Sequence, residues 1–216
     1  MSGVMEGVLI RAVGVVAAYL LGSIPVGLLV VRALKGQDIR SVGSGRTGGT
    51  NAFRAGGIVA GAMTAIGDAA KGIGAVNLAR LLLPGDPILE ALCAVAAVAG
   101  HNWPIYIGFR GGAGTGPNVG AAIALWPLSA AILVPLTPIL LFATGYASVT
   151  STLISLIIVA LFVVRVLAAG QPAAYAGYAL ATAVLVAIAL IPNYRRLIAG
   201  TERMVGPRAR ATQSSE

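Results

Sequence analysis

The chain has 216 residues, 57% hydrophobic and only 10% charged, with 15 Lys and Arg against 7 Asp and Glu for a net charge of +8. Soluble domains carry about 25% charged residues, so this composition lacks the polar surface that a water-facing or disordered chain needs. A single cysteine, Cys93, and a single histidine, His101, exclude an internal disulfide framework and a multi-histidine metal site.

A bilayer core about 30 Å thick takes roughly 20 apolar residues per helix. The first predicted span runs from Val8 to Val31 and is interrupted by Gly22, Ser23, Ile24 and Pro25, where proline removes a backbone hydrogen bond and bends the helix. The second covers Gly57 to Leu83, and Pro84, Gly85, Asp86 and Pro87 turn it into a third, Ile88 to Ile107. From Asn118 to Thr144 the apolar sequence is cut by Pro127, Pro135 and Pro138, which predicts two short helices turning near Trp126 to Ser129. Spans over Thr150 to Ala168 and Ala173 to Ile191 complete seven; merging the fourth and fifth would leave six. Glu6 precedes the first run and no basic leader does, which argues against a cleavable signal peptide. No tandem repeat divides the chain, so residues 1–216 form one all-α, polytopic membrane domain with a polar tail over 207–216 that is expected to fray.

Parity decides which loops share a compartment. With seven spans, the segments after the first, third, fifth and seventh carry Arg32, Lys35, Arg40, Arg46, Arg54, Arg110, Arg195, Arg196, Arg203, Arg208 and Arg210, whereas the opposite side holds Arg11, Arg80 and Arg165. The positive-inside rule then places the N-terminus outside and the C-terminus in the cytoplasm. Six spans would send the arginine-rich tail outward. The basic residues are mainly topology signals, and no stacking platform accompanies them, so nucleic acid is not an expected partner.

Five polar clusters fall on the predicted cytoplasmic side or near it. Asp38 to Arg54 alternates glycines with hydroxyls, an amide and cations, a composition that frees backbone N–H groups for oxyanions. It reads as an anion cradle or as a flexible loop whose arginines only enforce topology. Gly100 to Pro117 forms a second glycine-rich segment with His101 and Arg110, and its Trp103 and Tyr106 suit the membrane interface. Asp68 and Lys71 stand i, i+3 on the second span, where ionisable groups pair with each other or line a polar cavity. Tyr146 to Ser151 follows the fifth span, with Ser148 or Thr150 as the expected N-cap of the next helix. Asn193 to Glu202 ends the seventh.

Taken in order, these segments resemble the bacterial acyl-phosphate-dependent glycerol-3-phosphate acyltransferases, the PlsY family. The matching pieces are Gly22-Ser-Ile-Pro25; Gly43-Ser-Gly45 with Gly48, Thr50, Asn51 and Arg54; Asp68 with Lys71-Gly72; Gly100-His101 with Pro104; Phe109 before Gly111-Gly112 and Gly114; Ser148 with Ser151; and Asn193 with Arg196-Leu197, Gly200 and Glu202. The resemblance implies transfer of a fatty acyl group from acyl phosphate to the 1-hydroxyl of glycerol 3-phosphate, yielding lysophosphatidic acid, without metal or other cofactor. It also implies a multi-pass protein of the bacterial plasma membrane, monomeric, in contact with membrane lipid and with its site facing the cytoplasm. Carried over by position, Ser44, His101, Ser148 and Asn193 would be catalytic, and Arg46, Thr50, Asn51, Arg54, Lys71, Arg110, Gly111 and Gly112 would hold substrate phosphate. Asp68, Ser151, Arg196 and Glu202 would support them. His101 is expected to position groups, with a substrate phosphate oxygen taking the proton.

The chain departs from the family pattern in its second glycine motif, where the two lysines of the pattern fall at Arg110 and Ala113 and the following positions are Thr115, Gly116 and Pro117. Arg46 replaces an asparagine and Gly49 an alanine, and Arg46 is a candidate to restore the charge missing at Ala113. Two other readings use the same clusters: an anion or lipid-precursor transporter, for which only Asp68 and Lys71 offer midplane polar groups, and a divergent paralogue with a different acyl donor or acceptor.

Overall fold

The computed structural model describes residues 2–205, which form eight α-helices and three short 3-10 turns. The helices are α1 (Ser2–Ser23), α2 (Val26–Lys35), α3 (Gly49–Leu82), α4 (Pro87–Asn102), α5 (Thr115–Leu125), α6 (Ala130–Thr144), α7 (Ala147–Ala169) and α8 (Ala173–Ile198). The expected tail over 207–216, with Arg208 and Arg210, lies outside the described residues.

Proline at position 25 does more than bend the first span. It ends α1 at Ser23 and starts α2 at Val26, and the two together make a 32-residue apolar stretch from Val4 to Lys35. The predicted turn at Trp126 to Ser129 is present as a 3-10 turn over Pro127–Ser129, because the proline-bearing sequence fits a tight turn and not a continuing helix. Five stretches among the described residues are long and apolar enough to cross a membrane: 4–35, 87–107, 127–144, 147–169 and 173–198. The predicted second span, in α3, carries Asp68 and Lys71. The predicted fourth is reduced to α5, whose eleven residues rise only about 16 Å at 1.5 Å per residue.

The segment Asp38 to Arg54, expected as a loop, is helical from Gly49 onward. Gly57 has φ 78° and ψ −169°, a conformation only glycine takes without strain, and it separates a short helical piece over 49–56 from the long remainder of α3. Thr50, Asn51 and Arg54 therefore sit on a helix aimed differently from the main one. Asn51 holds the preceding loop against it: its Nδ2 donates to the carbonyls of Ile39, Val42 and Arg46 at 2.8 to 3.1 Å, and its Oδ1 accepts from Ser44 N at 3.0 Å.

Apolar side chains gain little from facing each other in lipid, so close helix contact depends on small residues. Gly22 of α1 lies on the backbone of Ala97 in α4, and Gly100 lies on Tyr19; a side chain at either glycine would overlap main-chain atoms. Gly72 of α3 meets Pro117 of α5 in the same way, and Gly120 meets Ala69. Behind these contacts lies a core that includes Val76, Leu133, Ile154, Ile158, Phe162 and Tyr178, where the last two rings meet edge-on at 5.5 Å.

Contacts sort the connections onto two ends. Arg203 donates to Gly43 O, and Val205 N donates to Gly145 O at 2.8 Å, so the segment after α8 touches both the loop before α3 and the turn before α7. At the other end Arg11 pairs with Asp86 at 2.6 Å, and Arg80 of α3 pairs with Glu90 of α4 at 3.1 Å. The loops that parity assigns to one compartment are thus in mutual contact.

Candidate active site

Deepest in the arginine-rich end lie three ionisable side chains that are almost fully buried. Lys71 Nζ is 2.9 Å from Asp68 Oδ1, one helical turn away, and 3.1 Å from His101 Nδ1; Asp68 Oδ1 is 3.4 Å from the same ring nitrogen. The ammonium also donates to Gly22 O at 3.1 Å and Ile24 O at 2.9 Å. Those carbonyls belong to the broken turn at Pro25, and backbone freed at membrane depth must find partners inside the protein. The pairing expected between Asp68 and Lys71 is present. The ammonium, expected to hold substrate phosphate, has three protons, and these face four internal partners. Lys71 therefore locks α1, α3 and α4 together.

The second glycine segment wraps over this group. Gly111 N donates to Asn102 O at 3.2 Å and Gly112 N to His101 O at 3.0 Å, folding the loop back on the end of α4. A Cβ at Gly112 would overlap His101 Nε2, so glycine is required there by contact, not by turn geometry. Nδ1 faces both the Lys71 ammonium and the Asp68 carboxylate, while Nε2 lies beneath Gly112.

A second network joins the loops to α7 and α8. From the first glycine loop, Arg46 Nη1 donates to Gly112 O at 2.8 Å and its Nη2 to Asn193 Oδ1 at 2.8 Å, with a further bond to Ala189 O. Asn193 Nδ2 donates to Glu202 Oε1 at 2.7 Å, Arg196 Nε to Glu202 Oε2 at 2.8 Å, and Ser148 Oγ to Glu202 Oε1 at 3.4 Å. Arg54 Nη2 donates to the carbonyls of Arg203 and Met204 at 3.2 and 3.4 Å. Arg11, Arg40, Arg80 and Arg196 each have a carboxylate within 4 Å; Arg46 and Arg54 have none among the described residues. Two partly buried guanidiniums without carboxylate partners, set among hydroxyls and amides, form a place for an anion.

Ser44, Gly45, Arg46, Asn102, Trp103, Phe109, Arg110, Gly111, Ala189, Pro192 and Arg196 line an open cavity of about 320 Å³ beside this network. Of the residues expected from sequence, Ser44, Arg46, Arg110, Gly111 and Arg196 border the cavity, Asn193 and Glu202 are hydrogen-bonded to the wall residues Arg46 and Arg196, and Ser148 reaches them through Glu202. Ser151 accepts from Thr115 Oγ1 at 2.6 Å and ties α5 to α7. Thr50 occupies the first turn of α3. The N-cap expected at Ser148 or Thr150 is corrected: Tyr146 precedes α7, both hydroxyl residues are inside its first turn, and Thr144 Oγ1 accepts from Tyr146 N instead. Ser148 directs its hydroxyl to Glu202, which only tertiary contact supplies. Sequence reasoning missed Asn102, whose Nδ2 donates to Leu185 O at 3.3 Å, and the return of residues 199–205 across the site. Gly200, at φ 69°, was the one local sign of that turn.

Comparison with known proteins agrees with this geometry. The family profile for glycerol-3-phosphate acyltransferase matches residues 12–200. A glycerol-3-phosphate acyltransferase of Rubrobacter xylanophilus is 40% identical over 195 residues, spanning 90% of this chain and 95% of its own, and one of Cereibacter sphaeroides is 37% identical with both chains covered in full. Among solved structures, the crystal structure of PlsY, an integral membrane glycerol 3-phosphate acyltransferase, in its glycerol 3-phosphate form has a TM-score of 0.79 at 30% identity, covering 91% of this chain and 96% of that one. Its lysophosphatidic acid form gives 0.77 over 91% and 95%. The chain belongs to the glycerol-3-phosphate acyltransferase family.

Proposed function

We propose that this glycerol-3-phosphate acyltransferase takes its acyl group from acyl phosphate and carries out the transfer at the cavity between the two glycine loops, on the cytoplasmic side of a seven-crossing bacterial plasma-membrane protein. Arg46 carries this reading: it has no carboxylate partner among the described residues, lines the cavity with Ser44 and Arg110, and is bonded to Asn193, while Arg54, also without a carboxylate, holds the segment that returns after α8. Two phosphorylated molecules bring several negative charges to one place, and unmatched guanidiniums meet that demand. The orientation is supported by the charge bias, since the loops in mutual contact are the arginine-rich ones.

An acyl phosphate is a mixed anhydride with phosphate as a good leaving group. The 1-hydroxyl oxygen bonds to the acyl carbon, the carbon–oxygen bond to phosphate breaks, and the hydroxyl proton passes to a phosphate oxygen. Holding the two substrates in line and stabilising the acyl oxyanion then supply the acceleration. His101 fits a positioning role: it is buried with Lys71 and Asp68 on one side and Gly112 on the other, where it sets the loop. Asp68 and Lys71 are closed on each other and on the α1 break, which disfavours their use as a transport path.

The test is a donor-by-acceptor assay on purified protein. Acyl phosphate with glycerol 3-phosphate is expected to give lysophosphatidic acid and phosphate, whereas acyl thioester donors give none. Folded protein that turns over thioesters and leaves acyl phosphate intact would overturn the donor assignment.

A further inference from the structure

The second glycine loop has a charge problem of its own. Between Arg110, which is exposed, and the start of α5 its residues are Gly111, Gly112, Ala113 and Gly114, none of them charged. The cation nearest its backbone is borrowed: Arg46 crosses from the first loop and donates to Gly112 O, while its other terminal nitrogen holds Asn193 Oδ1 and Ala189 O on α8.

Those three acceptors are two neutral carbonyls and a neutral amide. Burying a guanidinium against neutral groups is unfavourable, and here Glu202 repays the lost hydration only in part, because desolvation and the neighbouring Arg196 both act against the Arg46 charge. The nearby carboxylate, Glu202, is bonded to Arg196 and Asn193 instead. Nε of Arg46 makes no bond among the described residues, and the side chain lines the cavity. A strut alone needs hydrogen bonds; it does not need an unmatched charge. Of the other cations lining the cavity, Arg110 is exposed and Arg196 is paired with Glu202, whereas Arg46 is partly buried without a carboxylate partner among the described residues.

We propose that Arg46 is the phosphate-binding cation of the second glycine loop, delivered across the cavity from the first loop, and that its three protein bonds fix the spacing at which that loop meets a phosphate monoester dianion. The proposal rests on the acyltransferase reading for the identity of its ligand, although glycerol 3-phosphate and acyl phosphate share the chemistry it recognises. Its function is separable from the strut by moving the charge. Ala113 is partly exposed and adjacent to the carbonyl that Arg46 holds, so a lysine there puts a cation on the loop itself but cannot reproduce the three bonds.

The experiment compares wild type, Arg46→Asn, Ala113→Lys and the double variant in detergent, reading KM for each substrate and the thermal stabilisation given by inorganic phosphate and by glycerol 3-phosphate. Arg46→Asn is expected to lose about 100-fold in kcat/KM, the scale of one preorganised charge donor, together with most of the phosphate-dependent stabilisation. The double variant is expected to regain at least about tenfold of that loss. A KM rise confined to one substrate tells which phosphate Arg46 holds. Arg46→Asn that keeps wild-type KM and stabilisation overturns the proposal, as does a folded double variant no better than the single. If Arg46→Asn does not purify folded, Arg46→Lys takes its place: phosphate stabilisation is expected to persist with the charge, and its complete loss in folded protein overturns the idea. Wild type that is stabilised by phosphate but makes no product would sink the acyltransferase reading and leave the role of Arg46 standing.

Discussion

The molecule carries two arginine–glutamate locks of nearly equal burial at its opposite ends. Glu202 and Arg196 have side chains 6% and 40% exposed; Glu90 and Arg80 have 7% and 40%. At the far end every participant sits on a helix or a helix terminus: Arg80 donates to Glu90 and to Ala124 O at 2.9 Å, Tyr175 adds a bond to Glu90 at 3.2 Å, and Arg165 covers the Trp126 ring at 4.5 Å. Charges there are matched or stacked, and the arrangement joins five helices. At the site end Glu202 sits on a non-helical segment, its partners come from α7 and α8, and Arg46, Arg54, Arg110 and Arg203 lack a carboxylate among the described residues. On the function proposed above, the same ion pair serves stability where it is closed by helices and serves ligand binding where excess positive charge is left beside a cavity.

Substitutions can break this contrast. The largest effect is expected from Arg54→Ala, which removes an unmatched cation from the site: kcat/KM should fall about 100-fold or more while the melting temperature in detergent stays within a few degrees. Glu90→Gln should do the reverse. It removes the charge from a partner of the half-exposed Arg80 and is expected to cost about 1 kcal/mol of stability, the buried-pair scale discounted for solvent screening, with kcat/KM per folded molecule unchanged. Should Arg54→Ala unfold the protein or Glu90→Gln silence the folded enzyme, the division of labour between the two ends is wrong.

Gly112→Ala tests the boundary between them, since the added methyl meets the His101 ring. Overpacking of this kind costs about 1 to 3 kcal/mol, and the displaced loop should raise KM for the phosphorylated substrates before it lowers stability. His101→Ala, read by its pH profile, sharpens the same point: activity falls about tenfold through loss of positioning, a modest fraction of what general catalysis supplies, with the profile's shape unaltered. Loss of one ionisation limb would instead make His101 the base.

The smallest effect belongs to the exposed pair in the first loop. Hydrogen bonds from the Arg40 side chain and backbone hold the Asp38 carboxyl down at about 2, and Asp38 caps the 3-10 turn over Ile39–Ser41. A carboxylate with a lowered folded pKa contributes its stability above the unfolded value near 4 and loses it as pH falls toward 2. The pair is solvent-exposed, so Asp38→Asn should change stability at pH 7 by at most about 0.5 kcal/mol and flatten any acid-side decline between pH 4 and 2.

Much of the architecture was legible along the chain because its signals are local. Apolar runs of membrane length, the proline-rich turn at Trp126 to Ser129 and the i, i+3 spacing of Asp68 and Lys71 each depend on neighbours in sequence. Less was legible where a residue's role depends on a distant partner. Gly57 inside an apolar run carries no sign of its left-handed φ, so the helical start at Gly49 was hidden. Ser148 has the composition of a cap, but Glu202, 54 positions away, takes its hydroxyl. Lys71 has the chemistry of a phosphate ligand, but its contacts with the carbonyls opened by Pro25, 47 and 49 positions away, are not legible from its neighbours in sequence.

What the sequence determined by itself is a polytopic, helical, membrane-embedded chain with its cations gathered to one end, because hydropathy and charge bias act residue by residue and survive any rearrangement of the helices. Which of those cations face an anion site was decided only by tertiary structure. A guanidinium is matched or unmatched according to the carboxylates that folding brings within a few ångströms, and folding gave Arg196 to Glu202, gave Arg80 to Glu90, and left Arg46 and Arg110 on the cavity wall and Arg54 on the returning segment without one among the described residues.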